Sequence, residues 1–144
     1  MHHKILLLLV LLFSVCWVQA QEATLTVISN NNGAPPELRA GALKSILRGE
    51  RQRWPNGTKV VIALMKTNTP VGNSTVKKIY NMSADELNKY WLALVFQGKA
   101  TAPTFFNSTN DLEAFVAQTP GAIGITDNAG SNVRAITVDG KKSL

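Results

Sequence analysis

A ten-residue segment after an apolar run carries the side chains best suited to bind an anion. Over residues 66–75 it consists of Lys-Thr-Asn-Thr-Pro-Val-Gly-Asn-Ser-Thr, so one ammonium group stands beside several hydroxyl groups. Backbone N–H groups at the start of a helix, together with hydroxyl groups, form a cradle for an oxyanion. Ligands of α/β proteins bind outside the carboxyl ends of strands, and this segment follows a predicted strand. The sequence therefore predicts a small-oxyanion site with the candidate residues Lys66, Thr67, Asn68, Thr69, Ser74 and Thr75.

These residues also fit a plainer interpretation, an ordinary helix start beside a solvated lysine. A second polar segment, Asn30-Asn31-Asn32-Gly33, follows the first predicted strand, and we expect it at the same edge of the sheet. Its amide groups are able to donate hydrogen bonds to an oxyanion. Its ordinary role is turn formation, since Asn and Gly favour tight turns. The sequence alone leaves two interpretations open for each segment: an oxyanion site or an ordinary structural role.

The first twenty residues have the organisation of a secretory signal peptide. Lys4 supplies a positive charge, residues 5–13 are apolar, and Val18-Gln19-Ala20 has the small-residue pattern of a cleavage site. The apolar run is shorter than the roughly 20 residues that a membrane-spanning helix needs. We therefore predict a signal peptide over residues 1–20 and one domain over residues 21–144. The predicted protein is periplasmic or secreted, with no stable membrane insertion after removal of the signal.

Export would remove the side chains on which most enzyme mechanisms depend. Both histidines and the one cysteine lie in the predicted signal peptide, as His2, His3 and Cys16. The remaining domain has no disulfide, no Cys or His zinc site, no thiol nucleophile and no Ser-His-Asp arrangement. Its carboxylates fall in first turns of helices or in separate turns, which gives neither an acid–base pair nor a calcium loop. We predict a protein that is not an enzyme, with no catalytic residues, no metal and no cofactor.

The basic character of the chain suggests a second kind of partner. The formal net charge is +6. A basic exported domain fits an anion, an acidic envelope polymer, a membrane surface or nucleic acid as its partner, or the charge simply keeps the surface soluble. Single-stranded nucleic acid is not predicted, because stacking on it requires several exposed aromatic side chains and only Trp54 is near the basic region. The bases that gather in this region are Arg39, Lys44, Arg48, Arg51 and Arg53.

Strands and helices alternate along the predicted domain, which favours an α/β fold with helices flanking a mixed sheet. The run at residues 59–65 is almost wholly apolar, as in a central strand buried on both faces. Ser83 and Glu86 form a capping box ahead of a helix that ends near Gly98. We expect one face of this helix to be buried, with Leu87, Tyr90, Trp91, Leu94 and Val95 on a single stripe. The other predicted strands cover residues 24–28, 104–106, 122–126 and 133–138, and the other predicted helices cover residues 37–48 and 74–80 and a segment capped by Asn110.

Four segments, in their order and spacing, resemble the phosphate ABC-transporter substrate-binding protein family. Each contains a glycine or proline where an element must end, such as Pro120 and Gly121 between a helix and a strand. The resemblance implies a PstS-like single lobe of a periplasmic-binding-protein-like (type 2) fold, with a mixed sheet flanked by helices. The segments are Leu38 to Gly49, Trp54-Pro55-Asn56-Gly57-Thr58, Trp91 through Phe96-Gln97-Gly98-Lys99 to Pro103, and Val116 through Pro120-Gly121-Ala122-Ile123-Gly124.

The resemblance also implies a function, and the chain departs from the family pattern in two ways. It implies phosphate or another small oxyanion as the ligand and an ABC permease as a partner. Family members close two lobes around the ligand, whereas this chain is long enough for about one. Lys66 stands where the family has an arginine, and Gly72-Asn73-Ser74-Thr75 replaces a Ser-Gly-Thr in altered order. The first hypothesis is thus an exported, non-catalytic oxyanion-binding protein. The alternative is a ligand-free interaction protein of the cell envelope that uses the basic face around Arg39–Arg53.

Overall fold

The computed structural model describes residues 23–144, so the predicted signal peptide lies outside the described residues. Six strands form one mixed sheet: β1 Thr26–Ser29, β2 Glu37–Leu38, β3 Val61–Met65, β4 Thr104–Phe106, β5 Ala122–Thr126 and β6 Arg134–Val138. Their order across the sheet is β2-β6-β1-β5-β3-β4. β1 runs antiparallel to both of its neighbours, while β3 is parallel to β4 and β5, and β2 is parallel to β6. The prediction of a mixed sheet flanked by helices is confirmed.

Helices connect the strands and cover the sheet. They are α1 Ala40–Leu47, α2 Pro70–Thr75, α3 Ala84–Phe96 and α4 Thr109–Gln118, and a π-helical segment, Val76–Tyr80, continues α2 without a break. α4 packs on β5 and β3, and α2 also contacts β3 and β5. Within residues 23–144, no helix combines the length and apolar character that crossing a membrane requires.

The core is centred on β3 and β5, which lie side by side. All five residues of β5 are buried, and four of the five in β3 are buried. Each fully buried Leu or Ile side chain contributes roughly 1.5–3 kcal/mol of hydrophobic free energy, so these strands anchor the domain. The prediction that the apolar run at residues 59–65 is an interior strand is confirmed, with Val61 as its first paired residue.

One predicted helix begins later than expected, because its first residues pair with the sheet. The helix predicted over residues 37–48 starts at Ala40. Glu37 and Leu38 instead form β2 beside Thr137 and Val138. Arg39 remains extended (φ −79°, ψ 149°), so the chain turns into the helix only after it. Leu38, 8% exposed, is buried at the sheet edge by this arrangement.

Two other helix starts were predicted wrongly, and capping explains both. Ser108 rather than Asn110 caps α4, since its hydroxyl oxygen accepts a hydrogen bond from the Asp111 N–H at 3.2 Å. α2 begins at Pro70, four residues before the start predicted at residue 74, with Thr69 as its cap. Proline suits the first position of a helix, because its φ is already helical and its missing N–H is not needed there.

The helix after Ser83 follows its prediction closely at the start. The Ser83 hydroxyl oxygen accepts a hydrogen bond from the Glu86 N–H at 3.2 Å. Leu87 and Trp91 are buried as predicted, at 0% and 4% exposure. Val95, predicted to lie on the same buried stripe, is 45% exposed, because the last turn of α3 extends past the edge of the core.

Candidate functional site

Three parallel strands end at one edge of the sheet, and polar residues follow each of them. Lys66 follows β3, Asn107 follows β4 and Asp127 follows β5. β1 runs the other way, so the residue at its approach, Thr24, reaches the same edge. An open cleft of about 730 Å³ lies here. Its polar lining consists of Thr24, Thr69, Asn107, Thr109, Asp127 and Asn128.

The first turn of α2 forms one side of this cleft. The Thr69 hydroxyl oxygen accepts a hydrogen bond from the Gly72 N–H at 3.0 Å and donates one to the Lys66 carbonyl at 2.6 Å. Pro70 has no N–H, so Val71 carries the N–H of this first turn that neither the helix nor the cap uses. A Cβ on Gly72 would lie 1.9 Å from the Lys66 carbonyl oxygen, so only glycine allows α2 to start this close to β3.

The first turn of α4 forms another side. Thr109 is the first residue of α4 and lines the cleft. The cap at Ser108 takes the Asp111 N–H, and the Leu112 N–H bonds the Ser108 carbonyl at 3.2 Å. Thr109 and Asn110 therefore hold the first-turn N–H groups that precede the helical bonding pattern. A helix N-terminus carries a partial charge of about +0.5, so two positive helix ends meet at the cleft.

Asp127 introduces the one acidic side chain of the cleft lining. It follows β5 directly and is exposed, and its Oδ1 accepts a hydrogen bond from the Thr126 hydroxyl at 3.1 Å. An ionised carboxylate only accepts hydrogen bonds. A ligand group that contacts the Asp127 carboxylate must therefore donate a hydrogen bond or carry positive charge. Within residues 23–144, no cluster of three His, Cys, Asp or Glu side chains is placed to hold a metal ion.

The structure brings one of the six predicted site residues to the cleft lining, which is Thr69. Lys66 and Asn68 are exposed in the turn before α2, and Ser74 is half-buried in that helix. Thr67 lines a separate depression beside Ser83. Thr75 is 2% exposed, and its hydroxyl group donates to the Val71 carbonyl at 2.8 Å, so the helix itself uses this side chain.

Sequence reasoning missed the other polar residues of the cleft. For Asn107, Thr109, Asp127 and Asn128 the signal was available, because they follow predicted strands just as Lys66 does. Thr24 gave no such signal, since its position depends on the antiparallel direction of β1.

The expectation that Asn30-Asn31-Asn32-Gly33 lies at the same edge is wrong. β1 is antiparallel to β5, so its carboxyl end lies at the opposite edge of the sheet. The Asn30 amide donates to the carbonyls of Val116 and Ala117, at 2.9 and 3.0 Å. These carbonyls belong to the last turn of α4, where helical hydrogen bonds run out. Asn30 thus closes the end of a helix.

Two of the five clustered basic residues, Arg48 and Arg53, contact other groups of this chain. The Arg48 guanidinium lies 5.6 Å from the centre of the Tyr90 ring and 3.9 Å from the Glu50 carboxylate. Arg53 donates to the Gly57 carbonyl at 2.8 Å. Such surface contacts contribute about 0–1 kcal/mol each, and they give these two side chains local structural roles.

Solved structures similar to this one come from phosphate transport. One is a protein from Clostridium perfringens, assigned as a phosphate ABC transporter substrate-binding protein and solved with bound phosphate, with a TM-score of 0.64 and 16% identity. An ABC-type phosphate transport receptor from Vibrio cholerae gives 0.63 and 13%, and PstS from Borrelia burgdorferi gives 0.62 and 16%. They cover 85%, 81% and 83% of this chain. No family model matches the sequence, and no curated protein does.

These likenesses show the fold. The matched part is 47%, 46% and 48% of the three solved chains, so this chain spans about half their length. The prediction of an α/β fold that corresponds to a single lobe of a periplasmic binding protein is therefore confirmed.

Proposed function

We propose that this chain is a non-catalytic binding protein that holds a small oxyanion, phosphate first, in the cleft at the ends of β3, β4 and β5. The observation that carries the proposal is the meeting of two helix starts, α2 and α4, at one polar cleft. Helix N-termini bind anions through free N–H groups and a favourable dipole. The phosphate named for the structural neighbours supports the choice of ligand.

Each part of the cleft has a role in this proposal. The N–H groups of Val71 and Thr109, which both line the cleft, supply donors. The exposed ammonium group of Lys66 adds positive charge beside the start of α2, as a point charge without the two-pronged geometry of arginine. Asp127 then discriminates between oxyanions. Inorganic phosphate keeps at least one proton near neutral pH, because its last proton leaves only in strongly alkaline solution, and this proton can donate to the Asp127 carboxylate. Sulfate has no such proton and is repelled.

We expect weak binding, because the cleft is open to solvent on one side. A dissociation constant near 1 mM corresponds to about −4.1 kcal/mol, which a few hydrogen bonds to a solvated anion can provide. Export to the periplasm and cooperation with an ABC permease belong to the same proposal. The signal-peptide pattern of residues 1–20 supports export, and the ABC transporter named for one structural neighbour supports a permease as partner.

Calorimetry with the full chain tests the proposal. Phosphate should bind at millimolar concentration and more tightly than sulfate. The substitution Lys66→Ala should weaken phosphate binding up to about fivefold, the value of one exposed charge contact of about 1 kcal/mol. Lys89→Ala, which removes an exposed lysine of α3, is the matched control and should leave the affinity unchanged.

A second variant tests the Thr109 hydroxyl group, which lines the cleft at the first residue of α4. Thr109→Val keeps the shape of the side chain, removes its hydroxyl group, and should also weaken phosphate binding. At ten times the dissociation constant, a ligand raises the free energy of unfolding by about 1.4 kcal/mol, which thermal unfolding detects. No heat and no shift in melting temperature with either anion would refute the proposal. Equal losses in Lys66→Ala and Lys89→Ala would show only general charge attraction and would also contradict it.

A further inference from the structure

A second cavity lies between α1, the π-helical segment and the end of β6, away from the polar cleft. Its volume is about 290 Å³. Core side chains form its floor: Leu43, Ile79 and Val138 are 1%, 6% and 4% exposed. Pockets for small molecules are mostly apolar and begin at about 300 Å³. The size and the floor therefore suit one small ligand with an apolar body.

Charged side chains surround this apolar floor, and their sum is positive. Lys44, Lys78 and Lys141 line the cavity together with one acidic residue, Asp139. The Asp139 carboxylate accepts a hydrogen bond from the Ala40 N–H at 3.3 Å, where α1 begins. A carboxylate at a helix N-terminus is stabilised by the helix dipole. The cavity thus combines an apolar surface with a rim on which basic side chains outnumber the one acidic side chain, and that acid already bonds the start of α1.

We propose that this cavity binds a small amphiphilic carboxylate, an unbranched medium-chain fatty acid. The alkyl chain lies on the floor formed by Leu43, Ile79 and Val138, and the carboxylate lies between Lys44 and Lys141. Lipids with two acyl chains are excluded by the volume of about 290 Å³. The proposal is independent of the anion site, because the two cavities share no lining residue.

Ligands of different chain length test whether the apolar floor binds the alkyl chain. We would titrate the full chain with hexanoate and octanoate and follow heat by calorimetry. Each CH₂ group removed from water is worth about fourfold in affinity, so octanoate should bind up to about fifteenfold more tightly than hexanoate. Acetate should give no measurable heat at the same concentrations. Equal affinity for hexanoate and octanoate would overturn the proposal.

A second set of measurements tests whether the ligand carboxylate binds the lysines of the rim. Octanol should bind at least several-fold more weakly than octanoate. The double substitution Lys44→Gln and Lys141→Gln should weaken octanoate binding up to about twenty-fivefold, from two contacts of about fivefold each. The matched control, Lys89→Gln with Lys99→Gln, removes the same charge from α3 and the residues just after it, and should change nothing. Equal loss in the two double variants would refute the assignment.

Two further outcomes are decisive. Saturating phosphate should leave octanoate binding intact, because the sites are separate, and failure of phosphate to bind leaves this result unaffected. Substitution of Ala40 by leucine narrows the cavity at a half-buried position and should abolish octanoate binding while the chain stays folded. An absence of saturable octanoate binding would overturn the proposal.

Discussion

Replacement of Gly121 by alanine, which adds one methyl group, should destabilise this fold strongly. It forms the turn between α4 and β5, with φ +79°. A Cβ at this position would lie 2.0 Å from the Lys59 carbonyl oxygen, so the backbone would have to move. Gly121 also takes part in three hydrogen bonds. Its N–H donates to the Asn32 backbone carbonyl at 2.7 Å. Its own carbonyl accepts from the Val61 N–H at 3.1 Å and from the Trp54 indole N–H at 2.8 Å.

The magnitude follows from these contacts. A non-glycine residue in the left-handed region costs about 1–2 kcal/mol. Each of the three hydrogen bonds contributes about 1 kcal/mol, and the shift forced by the clash weakens all of them. We therefore expect Gly121→Ala to lower the free energy of unfolding by about 4–5 kcal/mol. That is a large share of the roughly 5–15 kcal/mol that a domain has in total.

Two other glycines provide matched controls, measured with it by urea unfolding and thermal unfolding. Gly57 has φ +88°, and a Cβ there would meet nothing within 4 Å, so Gly57→Ala should cost only the backbone term of about 1–2 kcal/mol. Gly41 lies in α1 with equally open surroundings, and Gly41→Ala should stabilise the chain by about 0.5–1 kcal/mol. If Gly121→Ala costs no more than Gly57→Ala, the close packing of this turn does not carry the stability assigned to it.

Three further results are expected. Tyr80→Phe should cost about 1–3 kcal/mol, because the buried Leu47 carbonyl loses its 2.5 Å hydrogen bond from the phenol; Tyr90→Phe, at a half-buried site, is the control and should cost less. Burial raises the pKa of the Tyr80 phenol above its ordinary value of 10.0, so the unfolded chain loses this proton first and stability should fall as pH rises above 10. Tyr80→Phe should flatten that alkaline decline, and an equal slope in both proteins would contradict the assignment. Asp127→Asn should raise sulfate affinity relative to phosphate, and an unchanged ratio in calorimetry would show that Asp127 does not contact the anion.

Much of the fold could be predicted because local signals and tertiary structure agree. The strands at residues 104–106 and 122–126 were predicted with their observed bounds, and the Ser83 cap forms the predicted hydrogen bond. In each case a Pro, Gly or hydroxyl residue marks the end of the element. Elements that depend on a distant partner gave no such signal. β2 is two residues long and exists because Glu37 and Leu38 meet β6, about a hundred residues further along the chain.

The site was predicted only in part, for a reason that concerns strand direction. A sequence predicts where a strand lies, but the way it runs in the sheet depends on its neighbours. The expected edge for Lys66 follows from β3 alone, whereas the positions of Asn30 and Thr24 depend on β1. Because β1 runs antiparallel to β5, the start of β1 and not its end lies at the cleft. Thr24 therefore lines the cleft, and Asn30 lies at the far edge.

The cleft is built by contacts that need no ligand. The Lys66 N–H donates to the Phe106 carbonyl at 2.9 Å, which joins the ends of β3 and β4. The Lys66 carbonyl then receives the Thr69 hydroxyl, while Gly72 packs against the same carbonyl. The start of α2 is thereby fixed on the end of β3 before any anion arrives. A preorganised site avoids the cost of ordering a loop on binding. Phosphate should therefore bind without a change in secondary structure, and a gain of helix on titration, measured by circular dichroism, would contradict a preformed cleft.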